Sequence, residues 1–211
     1  RMGLELMGGN QPSPAFREEI LRNIAELDQL VDEILLASRL DAREADVGTV
    51  ELVDLIGLAA EECARVDAEL DVTAVPEGLE VRGVAKLLRR ALRNLLENAR
   101  RYSQGDITVV LQRHDGQAQL SVLDRGPGVP PALRERIFEP FYRLPGASER
   151  AGGVGLGLAL VRSIAQRHNG SVRCEDQPDG SGGACFVLRL PLHSRPGTAA
   201  PAPQREGTGA K

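Results

Sequence analysis

The sequence is poor in aromatic residues, lysine and cysteine, and each shortage narrows the range of functions. Tryptophan is absent and aromatic residues make up 3% of the chain, so the core must consist mainly of Leu, Val, Ile and Ala. Lysine occurs only at Lys86 and Lys211, which argues against a catalytic lysine. The cysteines are three in number, Cys63, Cys174 and Cys185, and no pair of them has the spacing of a metal site. We therefore expect buried free thiols in a reducing compartment.

Long apolar runs and an excess of positive charge are also missing. No run of about 18 apolar residues indicates a transmembrane helix. The formal net charge of −4 excludes the basic footprint that is typical of nucleic-acid-binding proteins. With 211 residues, of which 42% are hydrophobic, the chain is long enough for one domain of about 150 residues and an appendage.

Residues 1–42 have the pattern of a helical hairpin. Residues 1–7 predict the end of a helix, and Ser13 is placed to cap the next helix. Apolar residues recur at helical spacing over residues 15–42 and form a single stripe. Such a stripe needs a partner, so we expect an antiparallel hairpin that dimerises into a four-helix bundle. The abrupt start at Arg1 suggests a chain cut from a longer protein.

Strands and helices alternate between a polar linker at residues 43–48 and residue 193. This pattern predicts an α+β fold, a two-layer α/β sandwich, and it spans residues 49–193. Residues 194–211 contain no large apolar residue and are expected to be a disordered tail. The predicted helices cover residues 55–70, 84–102, 130–138 and 154–168, and the predicted strands lie at 50–52, near 72, and at 79–81, 107–112, 117–124, 171–176 and 184–190.

The predicted helix 84–102 carries four candidate functional residues. Asn94 and Asn98 are four residues apart and share one face, where amide oxygens suit a small hard cation that is already held by phosphates. Arg101 is placed to reach a phosphate, and Tyr102 to cover an adenine ring. Taken one at a time, ordinary surface or core roles remain the alternative for all four.

Three further segments contain candidate residues. Asp124 ends a predicted strand before Gly126 and Gly128, where a carboxylate suits an exocyclic amine; an ordinary turn is the alternative. Residues 138–143 hold three of the six aromatic residues and end at Arg143, which is suited to a phosphate.

The third segment places Gly153, Gly155 and Gly157 at the start of a helix, where backbone N–H groups favour anions. It does not follow a strand, which argues against a dinucleotide-binding fingerprint, and its spacing excludes a Walker-type loop.

These motifs in this order resemble the catalytic ATP-binding domain of sensor histidine kinases, in the Bergerat (GHKL) ATPase superfamily. The resemblance covers about residues 48–193, and the helix at 15–42 resembles the second helix of the family's dimerisation and phosphotransfer domain. The matching motifs are the N box (Asn94 to Tyr102), the G1 box (Asp124 to Gly128), the F box (Phe138 to Arg143) and the G2 box (Gly153 to Leu158).

The resemblance implies the Bergerat fold, ATP and Mg²⁺ as ligands, and a role for each candidate residue. Asn98, assisted by Asn94, would bind Mg²⁺, and Asp124 would read the adenine amino group. Residues 144–152 would form the ATP lid. The other implied nucleotide-binding residues are Arg101, Tyr102, Gly126, Gly128, Arg143, Gly153, Gly155, Leu156 and Gly157.

Position 94 separates branches of this superfamily. ATPase branches such as type II topoisomerases have a water-activating Glu where this chain has Asn94, and Asn is a poor general base. Glu97 is expected on a different face of the helix. The sequence therefore predicts phosphoryl transfer to a protein acceptor rather than hydrolysis.

The acceptor histidine of the family lies on the first bundle helix, a position that would fall shortly before Arg1. The histidines here are His114, His168 and His193, and none fits that position; His168 is expected at a helix end that favours a cation. We therefore expect ATP binding without autophosphorylation by this chain alone.

The resemblance further implies two-component signal transduction in the cytoplasm. A homodimer formed through the hairpin would pass phosphate to a response regulator, without nucleic acid, as the cytoplasmic portion of a membrane-anchored sensor. The alternative is a non-catalytic nucleotide-binding or dimerisation module on the same fold.

Overall fold

The computed structural model of the chain describes residues 13–42, 48–75, 77–103, 105–144, 154–180 and 182–193. Several expectations fall outside these ranges. They are the helix end at residues 1–7, the linker up to residue 47, the lid beyond Leu144, Gly153 and the tail at 194–211.

Helix α1 (Pro14–Asp41) begins and ends close to the predicted positions. The Ser13 side chain caps its start by accepting a hydrogen bond of 3.3 Å from the Phe16 N–H. Near its end, Leu40 is buried in the core. Most of its apolar stripe is exposed to solvent, at Phe16, Ile20, Leu21, Ile24, Leu27, Val31, Ile34 and Leu35.

None of the described helices, α1 included, is both long enough and apolar enough to cross a membrane.

The rest of the described chain forms two layers, a five-stranded mixed sheet with helices packed on it, as predicted. The sheet order is β2-β4-β5-β7-β6, in which β2 runs parallel to β4 and the other pairs are antiparallel; β1 and β3 pair separately. The elements after α1 are β1 (Glu51–Asp54), α2 (Leu55–Val66), β2 (Glu69–Asp71), β3 (Glu80–Gly83), α3 (Ala85–Tyr102), β4 (Thr108–His114), β5 (Gln117–Leu123), 3₁₀ turns at Pro131–Leu133 and Arg136–Phe138, α4 (Gly157–Arg167), β6 (Ser171–Glu175) and β7 (Cys185–Pro191).

The core between the two layers is mainly aliphatic, as the composition predicts. Helix α3 buries one side in it, including Leu87, Leu92 and Leu95. Phe138 and Phe186 add an edge-to-face contact with 6.5 Å between ring centroids. All three cysteines are buried and free, as expected.

Three predicted helices differ from the structure. Helix α2 ends at Val66 rather than residue 70, because Asp67 adopts a left-handed φ of 57° and the chain then enters β2. Residues 130–138 form two 3₁₀ turns instead of one helix. Helix α4 begins at Gly157 rather than Val154, because Gly155 has a φ of +83° that no helix accommodates.

His168 lies at the end of α4, as expected, but it is a neutral, buried residue and does not supply the cation that this helix end favours. Its Nε2 accepts a hydrogen bond of 3.0 Å from the N–H of Val84, the N-cap residue of α3. Its Nδ1 lies 2.7 Å from the Ile164 carbonyl oxygen, so a ring protonated only on Nδ1 satisfies both partners. Burial lowers the pKa of this imidazole.

A buried carboxylate joins α2 to α3. The Glu62 side chain is 1% exposed. Its Oε2 lies 2.9 Å from Arg93 Nε, and its Oε1 lies 2.9 Å from Arg93 Nη2 and 3.3 Å from Arg89 Nη1. The hydrogen bonds from Arg93 are the main reason why the pKa of Glu62 is lowered.

Replacing Glu62 by Gln is expected to lower the free energy of unfolding at pH 7 by about 2 to 4 kcal/mol, because Arg93 loses its counter-charge. The folded-state pKa of Glu62 is depressed, so its contribution is present above the ordinary value of 4.5 and is lost as pH falls below it. Urea unfolding at pH 7 and at acidic pH measures both effects. Glu61→Gln, whose side chain is 63% exposed, is the control. Equal losses in the two variants would contradict this account.

Candidate functional site

A cavity of about 860 Å³ opens between α3, the start of α4 and the ends of β5 and β7. Its size is in the range of small-molecule sites. Of the sequence-predicted site residues, Gly126 does not line it and Gly153 lies outside the described chain. The others do line it: Asn94, Asn98, Arg101, Tyr102, Asp124, Gly128, Arg143, Gly155, Leu156 and Gly157.

Asp124 presents a buried hydrogen-bond acceptor to this cavity. The residue is 3% exposed and follows β5 directly. Its Oδ1 accepts hydrogen bonds from the Gly126 N–H at 2.8 Å and the Ala184 N–H at 3.2 Å. No described residue donates a hydrogen bond to Oδ2, which leaves that atom available to a ligand. Burial raises the pKa of Asp124, and the two N–H donors oppose that shift.

Gly126 acts on the site through the fold rather than as part of the cavity wall. Its N–H orients Asp124. A Cβ atom at this position would lie 2.6 Å from the Tyr102 carbonyl oxygen, so a side chain would push apart the two segments that meet at the cavity. The glycine is therefore required by close contact of the chain with itself, rather than by approach of a ligand.

Asn94 and Asn98 lie one turn apart on the α3 wall of the cavity, as their spacing predicts. Asn94 is 5% exposed, and its Nδ2 donates a hydrogen bond of 3.2 Å to the Gly157 carbonyl oxygen at the start of α4. This bond leaves Oδ1 of Asn94 available. Asn98 is half-buried. The wall can therefore offer two neutral amide oxygens.

The expectation that Glu97 lies on a different face of the helix is wrong. Glu97 lines the same cavity as Asn94 and Asn98. Together with Arg101 these residues follow the i, i+3, i+4, i+7 spacing of one helical face, so the sequence already contained the signal. The cavity wall is wide enough to include all four.

The segment before α4 is fixed to the aromatic segment at residues 138–143. The Gly155 carbonyl oxygen accepts a hydrogen bond of 3.0 Å from the Phe141 N–H. Gly155 has a φ of +83°, and a Cβ atom there would lie 2.9 Å from the Tyr142 carbonyl oxygen. No described side chain caps the start of α4 at Leu156. Its first N–H groups are therefore left for an anion at the positive end of the helix dipole.

Positive and apolar residues complete the wall. Arg143 is half-buried and Arg101 is exposed, and Arg100 adds a third guanidinium that sequence reasoning missed. The apolar lining was also missed, because it comes from separate segments with no shared local motif. These apolar or aromatic residues are Leu30, Val129, Ile137, Tyr142, Leu144, Val154, Leu158, Ala184 and Phe186.

The described residues contain no group of three His, Cys, Asp or Glu side chains that could hold a metal ion unaided. A cation at this wall would instead take the amide oxygens of Asn94 and Asn98 and complete its shell with ligand oxygens and water, as Mg²⁺ does in phosphate sites.

Comparison with known proteins agrees with this geometry. Residues 83–194 match the model of a family described as histidine kinase-, DNA gyrase B-, and HSP90-like ATPase. The chain is 37% identical over 201 residues to the sensor histidine kinase CpxA of Escherichia coli K12, covering 92% of this chain and 44% of CpxA. It spans about half, or less, of the length of the curated relatives that it matches.

Two solved structures are similar to large parts of this chain. The structure of the mycobacterial sensor histidine kinase MprB superposes with a TM-score of 0.60 at 32% identity, covering 70% of this chain and 100% of that one. Full-length ShkA in complex with AMPPNP superposes with a TM-score of 0.68 at 26% identity, covering 88% of this chain and 41% of ShkA.

Proposed function

Since the chain belongs to the histidine kinase-, DNA gyrase B-, and HSP90-like ATPase family, and within it to the sensor histidine kinases, we propose that it binds ATP with Mg²⁺ and transfers the γ-phosphoryl group to a protein histidine. In this proposal residues 49–193 are the catalytic ATP-binding domain, and α1 is the second helix of the dimerisation and phosphotransfer hairpin. The observation that carries it is the Oδ2 acceptor of Asp124 in the same cavity as the two asparagines of α3.

The base of ATP is bound at the Asp124 end of the cavity. The adenine 6-amino group donates to Oδ2, and apolar residues such as Ile137 and Phe186 receive the ring. Tyr102 covers the edge of this region. Because Oδ1 is already occupied by two N–H donors, the carboxylate is held in one orientation.

The phosphates extend toward the start of α4. The N–H groups that begin this helix, around Gly155 to Gly157, together with Arg101 and Arg143, hold the anionic oxygens. Asn98 offers its amide oxygen to Mg²⁺, with Asn94 assisting. Mg²⁺, when bound, neutralises charge on the phosphate oxygens.

Transfer proceeds by attack of an imidazole nitrogen of the acceptor on the γ-phosphorus. The bond from this phosphorus to the β,γ-bridging oxygen breaks, and ADP leaves with that oxygen. A response-regulator aspartate then takes the phosphoryl group from the phosphohistidine. We expect Asn94, whose Nδ2 donates to the Gly157 carbonyl oxygen, not to activate water for hydrolysis, because its amide has no basic group.

The histidines within the described chain are poorly suited to be the acceptor. His168 is buried with both ring nitrogens engaged, and His114 lies at a hairpin turn beside Asp115. His193 directly follows β7 and the isolated bridge at Leu192. We propose that the acceptor is supplied from outside these 211 residues and that the chain does not phosphorylate itself.

Supplying an acceptor tests this proposal. The chain is incubated with Mg²⁺-ATP, with or without a separately produced helical hairpin that carries an acceptor histidine of this family. We expect acid-labile, base-stable phosphate on the hairpin only, together with slow ATP hydrolysis that Asn94→Ala does not abolish. Phosphate on the chain itself, or rapid hydrolysis that is lost in Asn94→Ala, would contradict the proposal.

The proposed setting is the cytoplasmic part of a membrane-anchored, dimeric two-component sensor. The exposed apolar stripe of α1 favours a dimer, since the apolar residues from Phe16 to Leu35 face solvent over about six turns in one chain. A non-catalytic nucleotide-binding or dimerisation module is the second candidate. It would bind ATP and dimerise but give no phosphohistidine in the experiment above.

A further inference from the structure

A glutamine that the sequence analysis did not single out is buried behind Asp124. Gln177 lies in the loop between β6 and β7, the β6–β7 loop (residues 176–184), and is 6% exposed. Its side-chain Nε2 donates a hydrogen bond to the main-chain carbonyl oxygen of Asp124. Gln177 does not line the cavity, so any effect on a ligand passes through Asp124.

The same loop forms hydrogen bonds with the Asp124 N–H and with its Oδ1 atom. The Asp124 N–H donates a hydrogen bond of 3.0 Å to the Ala184 carbonyl oxygen, and the Ala184 N–H donates one of 3.2 Å to Oδ1. A Cβ atom on Gly183 would lie 1.9 Å from the Asp124 carbonyl oxygen, so the loop backbone is in direct contact with it. Oδ2 is the polar atom of Asp124 that these contacts leave free.

The β6–β7 loop is itself tied to the neighbouring segments. Asp176, at its start, pairs with Arg134, which also donates a hydrogen bond of 3.1 Å to the Val129 carbonyl oxygen. Oδ2 of Asp179 lies 3.7 Å from Nη1 of Arg125, the residue that follows Asp124. Gln177 therefore connects Asp124 to a loop that is anchored on both sides of the contact.

We propose that Gln177 is a positioning residue that sets the selectivity of this cavity for a 6-amino purine over a 6-oxo purine. By holding the Asp124 main chain, it fixes the position of the backbone from which the side chain presents Oδ2 to the exocyclic amine. The inference rests on the proposed function, since it concerns the nucleotide bound there. A role in stability alone would leave the ratio of ATP to ITP affinity unchanged.

The test compares nucleotides in the folded variants Gln177→Leu, which removes the donor, and Gln177→Glu, which keeps the shape but replaces the donor with an acceptor. Calorimetry gives the dissociation constants of ATP, of ITP (which has a 6-oxo group) and of tripolyphosphate. We expect ATP affinity to fall about 10-fold in both variants. Affinities for ITP and tripolyphosphate should stay unchanged, so the selectivity ratio falls with the ATP affinity.

Gln166→Leu, at an exposed position on α4, is the matched control and should leave all three constants unchanged. If Gln177→Leu does not fold, the isosteric Gln177→Glu decides. A parent-like ATP to ITP ratio in either folded variant overturns the role of Gln177 and leaves the proposed function intact. A parent chain that binds ATP no better than ITP overturns both.

Discussion

Asp124→Asn is expected to weaken ATP binding by about 100-fold, because a charge-assisted hydrogen bond to the base is replaced by repulsion between two donors. The amide oxygen of the variant can still accept from the N–H groups of Gly126 and Ala184, which places its NH₂ group where Oδ2 lies now. An amide N–H suits a 6-oxo group. The variant should therefore bind ITP more tightly than ATP, the reverse of the parent chain.

Thermal stability distinguishes a lost contact with the base from a folding defect in Asp124→Asn. Burial raises the pKa of Asp124, so the folded state binds a proton at this carboxyl more readily than the unfolded state does. At neutral pH the ionised carboxyl therefore lowers the stability of the folded state. We expect Asp124→Asn to melt no lower than the parent chain. The control is Asp106→Asn, at an exposed position, which should keep both affinities. An unchanged ATP to ITP ratio in Asp124→Asn would rule out the base-reading role.

Asn98→Ala is expected to abolish most of the gain in ATP affinity that Mg²⁺ provides, a loss of about 10- to 100-fold. The affinity measured in excess chelator should change little, since the base and the arginines are untouched. Calorimetric titration with ATP at several Mg²⁺ concentrations measures this linkage.

Asn23→Ala, at an exposed position of α1, is the control for loss of an asparagine side chain on a helix. It should retain the full dependence on Mg²⁺. Should Asn98→Ala behave like this control, the cation would have to bind elsewhere on the wall, and the role assigned to the second asparagine of α3 would be wrong.

Local patterns were sufficient to predict much of this fold. The Asp115–Gly116 turn between β4 and β5 is a hairpin in which both residues have positive φ, as the dipeptide predicts. Likewise, α4 ends at Arg167, one residue before the predicted end, and Asn169 lies in the left-handed region just beyond it. Where a turn residue or a sustained apolar period decides the conformation, the information is local, and the sequence carries it.

Other features depend on contacts between distant residues. Helix α2 stops early because Leu70 joins Val109 in a parallel pair, and parallel pairing has no local turn signal. The charge state of His168 depends on Val84, which lies 84 residues away. The contact from Gln177 to Asp124 spans 53 residues and has no motif. Glu97 is different, because its helical spacing already placed it on the cavity wall.

Calorimetric titration of the 211-residue chain with ATP, with and without Mg²⁺, tests directly whether the cavity binds an adenine nucleotide. We expect one site per chain, tighter binding with Mg²⁺, and weaker binding of ITP under the same conditions. A folded chain that binds no ATP in the presence of Mg²⁺, or that binds ATP and ITP equally, would contradict the claim that this cavity is an adenine nucleotide site.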